Sequence, residues 1–175
     1  MRLNQLATLC IVVTSAGCRP SFGDIYVDRA LTQAQRKLVL DGAVASYRAH
    51  PQVEAVFTAE QLAATPVPTG SPVGWSLIQR ARASYYPGRS GDFVVLLKRN
   101  ITPIADTSRY VATHGSPWDY DRRVPILFWW RGVKPVAESV PIETVDIAPT
   151  LAAVMDVQPP PVDGRCIDIG QRCRR

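Results

Sequence analysis

The sequence predicts an α/β fold with a mostly buried sheet, and three observations carry that prediction. Residues 91–98, GDFVVLLK, and residues 124–130, VPILFWW, are apolar runs bounded by turn residues, the pattern of strands covered on both faces. Helical stretches alternate with strand-like ones along the chain, which implies layers of helix against sheet. The 175 residues are 46% hydrophobic and 20% charged, enough for one domain of ordinary size with a real core.

The elements follow in order. Residues 23–28, GDIYVD, alternate and end at acids, as a half-buried strand does. Residues 32–47 read as a helix with Leu40, Val44 and Tyr47 on one face, weakened by Gly42. QVEAVF, 52–57, reads as a strand, and Thr58 with Gln61 has the spacing of a capping box for a short helix. Residues 65–72, TPVPTGSP, form a loop, and a helix over 74–86 is stopped by Pro87 and Gly88. The two apolar runs are expected as neighbouring strands, joined by a long loop over 99–123. Asp146 suits the N-cap of a last helix, with Pro149 in its first turn and Leu151, Val154 and Met155 on its buried face.

Composition excludes some partners. A net charge of +5, partly in Arg165, Arg172, Arg174 and Arg175, is that of a solvated tail. No RNA-binding, helix-turn-helix or zinc-finger pattern accompanies it, so no nucleic-acid partner is expected. The four cysteines fall as Cys10 with Cys18 and Cys166 with Cys173, without zinc-ribbon spacing. The second pair fits a disulfide in an oxidising compartment and equally fits two unrelated thiols. Residues 1–18 have Arg2, an apolar stretch and then Ser-Ala-Gly-Cys. That is the outline of a secretory signal with Cys18 as a lipidation candidate, although Ser15 replaces the usual Leu of a lipobox. An internal segment of a longer protein fits these residues as well. Export would place the chain in the periplasm or cell envelope, with membrane attachment only through a lipidated Cys18.

One of only two histidines, His114, stands in a Thr-His-Gly-Ser-Pro turn followed by Trp118, Asp119, Tyr120 and Asp121. A metal ligand or acid–base group needs support on both sides, and a turn flanked this way can give it. By residue type alone, a loop histidine bonded to a neighbouring carboxylate is the simpler reading. His50 reads as a solvated helix-end residue.

THGSPWDYDRRVPILFWW, IETVDIAPTLAAVM and DGRCIDI, in that order, resemble the C-terminal third of bacterial alkaline phosphatases. The group they resemble is the phosphate-irrepressible type related to nucleotide pyrophosphatases/phosphodiesterases. The resemblance covers residues 21–175, leaving 1–20 as a signal-like or unmatched segment. It implies the C-terminal portion of an α/β/α sandwich, an incomplete domain, and hydrolysis of phosphate esters through a two-zinc site. It also implies that His114 ligates one zinc, with Asp119, Tyr120 and Asp121 as candidates for orienting it.

The chain departs from that family in what it lacks. Two-metal sites hold their ions about 4 Å apart with several carboxylates and histidines. This sequence has no Asp-His pair, no Asp-x-x-x-His, and no matched nucleophile or phosphate-clamping Asn, Lys or Arg. The expectation is therefore a truncated fragment, inactive alone and missing its N-terminal half as a partner. The alternative is an exported, non-catalytic lipoprotein that keeps the fold.

Overall fold

The structure, a computed structural model, describes residues 23–104, 108, 111–170 and 173. The signal-like segment and Cys18 lie outside the described residues. Two compact units divide the chain: Met1–Pro68 with Ser76–Val124, and Thr69–Trp75 with Pro125–Arg175.

The first unit is built on a small antiparallel sheet in the order β1-β3-β2, formed by β1 (Gly23–Ile25), β2 (Val53–Thr58) and β3 (Phe93–Leu97). Ile25 pairs with Phe93, Val56 with Val95 and Val53 with Leu97, and the register shifts between Val53 and Ala55. Side chains alternate along a strand and cross-strand partners share a face. Ile25, Phe93, Val95, Leu97 and Val56, with Val53 brought round by the register shift, therefore lie on one face and are buried together. The expectation of full burial on both faces is corrected in detail. Val94 and Leu96, pointing the other way, are only half-buried, and the pairing is antiparallel, which tolerates a wetter second face.

Helix α1 (Gln33–Arg48) covers the buried face with Val44, Leu40, Ala43 and Tyr47. The Tyr47 and Phe93 rings meet with centroids 5.7 Å apart, and burial pushes the Tyr47 phenol above its ordinary pKa. Thr32 caps α1 in a capping box with Gln35, satisfying two amides that the first turn leaves without partners. Thr58 and Gln61 form the same box at α2 (Ala59–Ala64). Helix α3 (Leu77–Ala83) is shorter than the sequence suggests, because residues 72–74 form a separate 3-10 turn.

Asp92 ties this unit together. Its carboxylate accepts from the Val27 amide at 2.7 Å and from Arg36 at 2.7 Å, while Arg36 also donates to the carbonyls of Val27 and Asp28. The Ala59 amide donates to the Asp92 carbonyl. The end of β1, the first turn of α1 and the start of α2 are thus all held at the foot of the central strand.

In the second unit, a 3-10 turn (Thr144–Asp146) runs into α5 (Ile147–Val154). Asp146 is not the side-chain cap of α5. It sits in helical conformation, buried, and its carboxylate accepts from the amides of Glu143 and Arg165. Thr150, fully buried, donates to the Asp146 carbonyl at 2.6 Å and accepts from the Ile167 amide at 3.0 Å. These bonds turn the small face of α5 inward. Pro149, Thr150 and Ala152 are buried, while Leu151 and Met155, expected inside, are 40% and 64% exposed. Gly164 approaches so closely that a Cβ there would collide with the Val145 carbonyl. Cys166 and Cys173 are joined as a disulfide.

Residues 124–130, expected as a second central strand, take no part in the sheet. They are extended, with Leu127 and Trp129 89% and 80% exposed. An apolar run becomes a strand only when a neighbour pairs with at least one of its edges, and among the described residues none does.

Candidate functional site

His114 sits exposed in the loop after β3, and the turn that carries it is held from several directions. The Asp121 carboxylate accepts the Ser116 amide at 2.5 Å. The Trp118 indole N–H donates to the Leu97 carbonyl at 2.9 Å, and the Arg99 guanidinium lies over its ring at 5.0 Å. From α3, Arg80 donates to the Pro117 carbonyl at 2.6 Å and pairs with Asp119 at 3.1 Å, and Arg122 approaches the same carboxylate at 3.7 Å. The Asn100 amide donates to the Tyr120 hydroxyl at 3.1 Å. Asn100 adopts a φ of 62°, a left-handed turn that asparagine tolerates and that lets the loop double back beside the sheet.

The three residues singled out beside the histidine therefore have distinct partners. Asp121 fixes the backbone of the His114 turn, Asp119 anchors the short helix α4 (Asp119–Arg122) to α3, and Tyr120 meets Asn100 in the turn after β3. The Ser116 amide holds the Asp121 carboxyl below the usual carboxylate range, helped by the Ser116 hydroxyl, the Gly115 amide and the nearby His114 ring, against partial burial. Arg80, Trp118 and Asn100 were not legible as site residues, because their roles depend on contacts between residues about 20 or more apart in sequence.

Around this turn lies an open cleft of about 760 Å³ bordered by the second face of β3, α3 and the loop. His114, Asp121, Tyr120, Arg80 and Arg122 are on its rim. It offers an imidazole and a carboxylate near two guanidiniums that are themselves paired with Asp119. Among the described residues no group of three or more His, Cys, Asp or Glu is placed to hold a metal ion. A tight zinc site needs three or four such ligands, so the described residues do not fit a two-metal centre.

Over 151 residues the chain is 54% identical to the alkaline phosphatase PhoK of Sphingomonas sp. The chain is an alkaline phosphatase homologue. It is 49% identical to alkaline phosphatase PhoD of Zymomonas mobilis, and both matches take in 84% of the chain. The alkaline phosphatase PafA of Elizabethkingia meningoseptica is 28% identical over 141 residues. The crystal structure of wild-type PafA superposes with a TM-score of 0.63 at 24% identity over 85% of the chain, and this likeness shows the shared fold. No family model matches the sequence. The chain spans only 27% and 26% of the length of the PhoK and PhoD proteins.

Proposed function

We propose that this alkaline phosphatase homologue supplies one part of a zinc-dependent phosphate-ester hydrolase, and that His114 is the metal ligand it contributes. The braced His114 turn carries this reading. The Leu97 carbonyl of β3, the Arg80 guanidinium of α3 and the Asp121 carboxylate of α4 hold Ser116 to Trp118, directly after an exposed imidazole, whereas the His50 ring already accepts the Gln52 amide. A catalytic metal needs its ligands at fixed angles, with the supporting groups already satisfied. The nucleophile, the other zinc ligands and the second metal would come from polypeptide outside this chain, so the chain alone is inactive. The Cys166–Cys173 disulfide supports an oxidising, periplasmic or envelope location, with membrane attachment only if Cys18 is lipidated.

A chimera tests the reading. Replacing the matching stretch of Sphingomonas PhoK with this chain should give a phosphatase, and His114→Ala in that chimera should lower kcat/KM by about 100-fold or more. A folded chimera that is active and indifferent to His114→Ala overturns the assignment. A folded but inactive chimera favours the non-catalytic lipoprotein.

A further inference from the structure

We propose that residues 124–130 form an open β-strand, and that its partner is the polypeptide corresponding to the rest of the alkaline phosphatase relatives. This rests on the reading of the chain as one part of a phosphatase, and it names the surface by which that part would engage the remainder.

Three features of the segment point to strand pairing. From Pro125 on, its exposure alternates residue by residue, with Ile126, Phe128 and Trp130 half-buried and Leu127 and Trp129 exposed. That is the period of a strand. Its Val, Ile, Phe and Trp side chains are strand formers. Among the described residues, the only backbone bond along it is the Val133 amide donating to the Trp130 carbonyl. Its amides and carbonyls are thus open along both edges. An open edge flanked by exposed aromatic and aliphatic side chains attracts another strand, since pairing satisfies the backbone and removes apolar area from water together.

Charge argues against a second copy as the occupant. Arg122 and Arg123 precede the run, and Arg131 and Lys134 follow it. Antiparallel self-pairing centred on Leu127 would set Arg123 opposite Arg131, and parallel pairing would stack each arginine on its counterpart. Like charges directly opposite are destabilising. A partner strand should therefore be apolar at its centre and acidic or neutral at its ends. The relatives supply the candidate: they match 84% of this chain, a span that cannot omit residues 124–130. In PhoK that span makes up only 27% of a longer polypeptide.

The test mixes the full 175-residue chain with Sphingomonas PhoK polypeptide lacking the stretch that matches it. Complex formation is read by size exclusion, backbone protection by hydrogen exchange, and activity with p-nitrophenyl phosphate. The expected result is a one-to-one complex in which amides within 124–130 exchange at least about 100-fold more slowly than in the chain alone. Leu127→Pro, which removes a donor from the edge, should weaken the complex at least about 10-fold, whereas Leu127→Val should retain it. The proposal is overturned by no complex, by a complex that leaves these amides unprotected, or by self-association that protects them without the partner. A complex that protects them yet hydrolyses nothing overturns the functional reading alone.

Discussion

The Asp92 carboxylate meets the Arg36 guanidinium at 2.7 Å while also accepting the Val27 amide. One half-buried carboxylate thereby joins the first residues of the central strand to α1 and to the chain leaving β1. Asp92→Ala would leave the Val27 amide and the Arg36 guanidinium without this acceptor. Hydrogen bonds to charged groups contribute about 1.5–3 kcal/mol, so the variant should lose stability of that order in denaturant unfolding. A loss within about 0.5 kcal/mol, the range of an ordinary surface change, would show that Asp92 is not the tie it looks to be.

Gly91 stands where a Cβ would lie 2.5 Å from the Ile25 carbonyl oxygen and 2.7 Å from its nitrogen. Both atoms are backbone and cannot rotate away. Gly91→Ala should force β1 from β3 and cost about 1–3 kcal/mol. Gly42→Ala, with open space around the added carbon inside helix α1, should instead stabilise by about 0.5–1 kcal/mol. Equal effects of the two substitutions in thermal unfolding would contradict this packing.

The His114 turn should loosen in acid. The Asp121 carboxyl is held below its ordinary value, chiefly by the Ser116 amide. A carboxyl whose folded pKa is depressed contributes stability that is present above the unfolded pKa and lost as pH falls through the folded one. The Ser116 amide resonance should therefore move on acidification below the usual carboxylate range, with a midpoint lower than that of an exposed aspartate. Asp121→Asn should abolish the transition. A midpoint at or above the ordinary aspartate value would contradict the coupling.

Local signals in the sequence were enough for α1 and α2, because the Thr58 capping box and the Leu40, Val44 and Tyr47 stripe involve residues within a turn or two of each other. The phase of α5 was not legible. Apolar periodicity favours burying Leu151 and Met155, but the Thr150 hydroxyl, bonded to Asp146 and Ile167, turns the helix the other way. Asp92 gave no local sign either, since its main partners are 56 and 65 residues distant. His114 was found through the family motif. Its braces from Arg80 and Leu97 became visible only with the fold. Residues 124–130 show the opposite failure: strand chemistry is plain in the residues, but pairing requires neighbours that the described residues do not provide.

Those bare side chains make a prediction about the isolated chain. With Leu127, Trp129 and the 124–130 backbone open, it should be partly molten and poorly soluble, binding a hydrophobic dye at neutral pH. Leu127→Lys with Trp129→Lys should raise its solubility without altering far-UV circular dichroism. A soluble wild-type monomer with a sharp two-state thermal transition would contradict this and favour a self-contained, non-catalytic protein.

Zinc titration tests most directly whether His114 is one arm of a metal site completed elsewhere. Isothermal titration of the isolated chain should show no stoichiometric submicromolar binding, because one imidazole cannot replace the three or four ligands of a tight site. The chimera carrying this chain within Sphingomonas PhoK should bind zinc tightly, and His114→Ala should weaken it by about 10-fold or more. Stoichiometric submicromolar zinc binding by the isolated chain, lost in His114→Ala, would contradict the account, as would a chimera whose zinc affinity ignores that substitution.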